Sequence, residues 1–157
     1  MTHFYGRSDD HADTPGESAE VVALEVASAV ELLADLWSEA GRDPALRLSV
    51  SQLRALRALE TVPDMNLTAL AVLLDIGLPA ASRLCDRLQA AGLMVRASHP
   101  LSRREVRLSL TPGGRHLLRD MARRRTQALA DALREMEPAQ RRAMKEGLTA
   151  FLRANNA

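Results

Sequence analysis

The stretch LTALAVLLDIGLPAASRLCDRLQAAGLMVRASHPLSRREVRLSLTPGGR, residues 67–115, decides the fold, because its apolar period changes along its length. Leu70, Ala71 and Leu74 have the spacing of a short helix, with Thr68 expected as its cap, and Asp75 to Gly77 reads as a turn. Gly77 then stands at an N-cap position and Pro79 in a first helical turn, where a missing N–H costs nothing. That second helix is expected to reach Ala91 and to stop at Gly92. Leu93–Arg96 and Val106–Leu110 read as short strands. The connection between them, Ala97–Glu105, looks too long for a tight two-residue turn. Thr111-Pro112 is an N-cap followed by a proline at the first helical position.

Outward from this stretch the pattern is helical. Residues 1–16 carry Gly, Pro, Ser and Asp without periodicity and read as a disordered acidic tail. From Glu17 to Ala40, Val22, Val26, Val30, Leu33 and Trp37 recur at helical spacing, and Val21, Leu24, Leu32 and Leu36 widen the stripe. A helix apolar on two sides needs two neighbours, one of which can be a second subunit. Ser49 or Ser51 is expected to cap a helix to about Thr61, and Met65-Asn66-Leu67 reads as an extended connector. After Pro112 a long helix is expected to about Met136. A last one follows Pro138, with Met144, Leu148, Phe151 and Leu152 on one face. Only four aromatics occur, so the core must be built from Leu, Val, Ala and Met, which favours helices. The expected fold class is mainly α with a small β-hairpin: a helix-turn-helix lobe carrying that hairpin at 49–111, with helical regions at 17–48 and 112–157.

Charge is segregated. Between Arg83 and Arg125 stand eleven arginines against Asp86, Glu105 and Asp120, whereas residues 1–40 hold nine acidic residues against Arg7. The net charge of +1 conceals this division, and such a basic segment points to a polyanionic partner. On the helix 78–91, Ala81, Leu84, Cys85 and Leu88 form an inward stripe. Pro79, Arg83 and Arg87 project on another face, with Ala80 and Ser82 at its N-terminal end. A helix entering a DNA major groove needs this layout: an apolar back, small residues for close approach and long cations in front. The planar fork of arginine can bond guanine O6 and N7 together or grip a phosphate. Two arginines on a surface helix are by themselves commonplace. Joined to Ser102-Arg103-Arg104 at a hairpin tip, where arginine can enter a narrow minor groove, they become specific.

Carried by LTALAVLLDIGLPAASRLCDRLQAAGL (67–93) and SRREVRLSLTPGGRHLL (102–118), the chain resembles the MarR family of winged-helix transcription regulators. The resemblance implies a homodimer whose first, fifth and sixth helices interlock, placing two lobes on a pseudo-palindromic double-stranded DNA operator. It implies groove-facing roles for Pro79, Ala80, Arg83 and Arg87, a wing-tip role for Arg103, and a bracing role for Arg104. It also implies release of DNA by a small aromatic or anionic effector in a cleft, with Trp37, Leu53, Arg57 and His116 as the expected lining. Three positions depart from the family pattern. Ser102 replaces a usual aspartate, Ala80 a usual hydroxyl residue, and Asp75 a turn residue that is usually glycine. The first two leave open a second reading, a degenerate winged helix that binds another protein.

Other chemistries find little footing. No glycine-rich phosphate loop, nucleophile elbow or catalytic triad spacing occurs, so no enzyme is expected, and Gly113-Gly114 reads as a helix start. The single cysteine, Cys85, excludes an internal disulfide, fits a reducing compartment and reads as a small core residue. No cofactor or metal is expected, since His99 and His116 lack partners at ligand spacing. No apolar run approaches the ~20 residues of a membrane span. Residues 1–20 are acidic, unlike a secretory signal. The expected location is the cytoplasm.

Overall fold

The computed structural model describes residues 18–42, 46, 48–99 and 102–155, without the side chains of 98–99 and 102–105. The expected tail at 1–16 lies outside the described residues. Six helices and three short strands follow in the order α1 (Ala19–Ala40), α2 (Val50–Thr61), β1 (Met65–Asn66), α3 (Leu67–Leu74), α4 (Leu78–Ala90), β2 (Met94–His99), β3 (Ser102–Leu110), α5 (Pro112–Arg134) and α6 (Pro138–Asn155). The chain divides into two units, one ending at Asp35 and one spanning Leu36–Ala157.

Local chemistry explains the boundaries. Ser49 caps α2 in a full capping box: its side chain accepts from the Gln52 backbone N–H, and its own N–H donates to Gln52 Oε1 at 2.8 Å. For α3 the cap is Asn66, not Thr68, because its side-chain oxygen accepts from Ala69 N at 2.8 Å and the helix begins at Leu67. Asp75 closes α3 at φ 54°, in the left-handed region that favours glycine, so the departure noted at this position is a real backbone demand. Gly92 ends the α4 turn at φ 70°. Thr111 caps α5 by accepting from Gly114 N, while its hydroxyl donates to Gly92 O at 2.6 Å.

The sheet has the order β1-β3-β2 and is antiparallel throughout. Two expectations change here. Met65-Asn66 is a strand, pairing with Leu108 and Arg107. The hairpin is longer than the sequence suggested: His99 pairs with Ser102, so two residues separate the strands, and Ser102–Glu105 belong to β3. The outer part of β3, Ser102-Arg103-Arg104-Glu105, carries no apolar residue, so no apolar alternation marks it as strand in the sequence.

One core unites α2, α3, α4, the sheet base and the start of α5. Leu56, Leu70, Leu84, Leu88, Met94, Leu108 and Cys85 are its largest fully buried members. Gly114 makes the α5 start possible, since a Cβ there would fall inside contact distance of the Leu93 carbonyl. By contrast, α1 and α6 contain no buried residue.

Candidate nucleic-acid interface

Helix α4 is backed by the core through Ala81, Leu84, Cys85 and Leu88, all buried, which fixes the azimuth of its outer face. On that face Pro79, Arg83 and Arg87 are exposed, while Ala80 and Ser82 are half-buried near the α3–α4 turn. Neither Arg83 nor Arg87 forms a hydrogen bond or ion pair with any described residue. Two cations are therefore held on a rigid helix with no internal use for their charge. Arg103 and Arg104 lie on the β3 backbone next to the hairpin end, and their side chains lie outside the described residues.

A contact absent from the sequence reading joins the hairpin to this helix. Arg96 on β2 donates from Nη1 to Asp86 Oδ1 at 2.6 Å and from Nη2 to the Ser82 carbonyl at 3.2 Å. Asp86, the one acidic residue of α4, thus subtracts little from the field of Arg83 and Arg87. Its isolation within a basic segment was the available signal. Cys85 packs beneath this pair. Burial pushes its thiol up, partly opposed by Arg96, so it is a protonated core side chain.

A second feature lies on the other side of α2. A cavity of about 210 Å³ is lined by Trp37, Leu53, Arg57, Glu60, Leu118, Met121 and Arg125, among others. His116, expected in this lining, is not part of it: the side chain is exposed on α5, with Nε2 3.1 Å from Asp120 Oδ2. Sequence reasoning missed Arg125. Its Nε donates to the Trp37 carbonyl at 3.0 Å, and Cζ stands 5.4 Å from the Trp37 ring centroid. Burial and the like charge of Arg57 lower its pKa, yet an arginine remains a cation at physiological pH. Gly41 leaves the room that this guanidinium occupies, since any Cβ would strike it. No group of three or more metal-ligating side chains occurs among the described residues.

Comparison with known proteins places this geometry. A family model described as MarR family matches residues 48–105, which contain the helix-turn-helix and most of the hairpin. An HTH-type transcriptional regulator of Mycobacterium bovis, itself uncharacterised, is 32% identical over 100 residues, covering 64% of this chain and 70% of that protein. The crystal structure of RV1404 from Mycobacterium tuberculosis is 33% identical with a TM-score of 0.80, covering 92% of this chain and 99% of that one. A Staphylococcus aureus MepR mutant bound to an oligodeoxyribonucleotide shares the fold, with a TM-score of 0.64 at 18% identity, over 87% of this chain and 97% of that one.

Proposed function

This chain belongs to the MarR family of transcriptional regulators, and we propose that it acts as a cytoplasmic homodimeric repressor that grips a pseudo-palindromic DNA operator. The observation that carries the reading is the pair Arg83 and Arg87, exposed and unpartnered among the described residues on a core-backed helix. In the proposed complex α4 enters the major groove and Arg103 the flanking minor groove. Pro79, Ala80 and Ser82 allow close approach at the helix start, and Arg104 braces the wing. The MepR mutant seen with an oligodeoxyribonucleotide has the same fold, which supports this use of it.

Dimerisation is supported by the terminal helices. Leu24 is 80% exposed, Leu32 70% and Phe151 66%, on helices without a single buried residue. Apolar surface of that kind signals a partner, and a second copy is the partner we propose. Residues 17–48 and 112–157 would supply the interface and 49–111 the lobe. Two-fold symmetry then predicts half-sites about one helical turn apart, roughly 34–36 Å.

The effector site we propose is the cavity at Trp37, Leu53 and Arg57, with Arg125 added and His116 removed. Two guanidiniums and an indole suit a small aromatic anion, and about 210 Å³ suits a compact one. Release requires that the ligand favour one lobe spacing over another, since equal affinity for both shifts nothing. The test is selection of bound duplexes from a random pool, then gel shifts at moderate salt with and without aromatic acids. An enriched symmetric site supports the reading. Failure to retain any duplex would favour the protein-binding alternative that Ser102 and Ala80 motivated.

A further inference from the structure

The sheet base and α4 are joined by one side chain whose placement suggests more than local stability. Arg96 lies where all three strands meet: its Cα partner is Leu108, fully buried, which also pairs with Met65 of β1. Its backbone is therefore fixed in the core. From that anchor its guanidinium reaches α4 at two points, the Asp86 carboxylate and the Ser82 carbonyl. The Ser82 carbonyl lies one residue before Arg83, and Asp86 one residue before Arg87. Beyond Arg96 the hairpin runs three more residues to His99, roughly 10 Å at 3.3 Å per residue. No other ion pair among the described residues links α4 to the sheet.

We propose that Arg96 is a positioning residue for DNA binding: with Asp86 it sets the angle between recognition helix and wing, so that both grooves are engaged together. This rests on the DNA-binding reading above. The forked guanidinium suits the task because one rigid planar group holds carboxylate and carbonyl in fixed directions, whereas a lysine would have to hold both from a single point charge on a flexible stem. At 29% side-chain exposure, Arg96 is too enclosed to act chiefly as a phosphate contact, whereas Asp86 is 56% exposed on the face near the DNA.

That exposure gives a test in which the two explanations predict opposite signs. Asp86→Ala removes a negative charge from a DNA-facing helix. Electrostatics alone predicts tighter binding to the selected operator. A lost strut predicts roughly tenfold weaker binding, about the loss of one groove contact. Arg96→Lys should fall between the parent and Arg96→Gln, and Arg96→Lys should keep the parent's salt slope. The sole cysteine supplies a readout independent of DNA. Cys85 is fully buried beneath the pair, so opening the strut should speed its modification by a thiol reagent several-fold in Asp86→Ala, at an unchanged melting temperature. Tighter or equal operator binding by Asp86→Ala overturns the strut. If the parent protein binds no duplex, the DNA-binding reading fails, and the thiol rates still decide whether Asp86 and Arg96 hold the hairpin against α4.

Discussion

Consider Arg83→Ala. The side chain is exposed, forms no hydrogen bond or ion pair with a described residue, and sits in a helix where alanine is the better former. Folding stability should therefore change by less than about 0.5 kcal/mol. Binding should change far more. A bidentate arginine–base contact is worth about 1–3 kcal/mol, and a symmetric dimer makes it twice, so the loss is about 2–6 kcal/mol. Even the lower end weakens binding by roughly thirtyfold. Fluorescence anisotropy with a labelled operator measures the affinity, and a thermal melt checks the fold. Arg54→Ala is the control, since it removes the same charge from an exposed position on α2, outside the proposed dimer interface. If Arg83→Ala and Arg54→Ala bind alike, α4 is not the recognition helix, and the argument from its exposed cations fails.

Other outcomes follow from packing. Gly114→Ala should cost about 2–4 kcal/mol in urea denaturation, because its Cβ meets the Leu93 backbone, which cannot rotate aside. Asp75→Gly should stabilise by about 0.5–1 kcal/mol, since glycine holds φ 54° without penalty. Burial raises the Cys85 pKa, so the folded state favours the protonated thiol. Stability from this source is complete below the ordinary thiol pKa, about 8.5, and is lost as pH rises toward the folded-state value. Urea midpoints between pH 8 and 10 should fall for the parent more than for Cys85→Ala, and parallel curves would deny the thiol that role.

Features set by local rules were legible in the sequence. Gly77 and Pro79 opened α4, Thr111-Pro112 opened α5, and the inward stripe Ala81, Leu84, Cys85, Leu88 proved buried. What escaped were features created by distant contacts. Met65-Asn66 has too few residues to show strand periodicity and is a strand only because β3 lies beside it. The outer hairpin lacks an apolar face, so Arg103 to Glu105 resembled a loop. Arg96 and Arg125 looked like two more cations in a basic run. Their partners, Asp86 ten residues away and Trp37 on another helix, appear only in the folded chain. His116 was grouped with Trp37, Leu53 and Arg57, yet its helical phase turns it toward Asp120.

The central claim is that paired lobes present α4 and the wing to one duplex. Hydroxyl-radical footprinting of the selected operator tests it most directly. The account predicts two equivalent protected half-sites about one helical turn apart, each flanked by a protected minor-groove patch that disappears in Arg103→Ala. A single unsymmetric footprint, or uniform weak protection along the whole duplex, would contradict it.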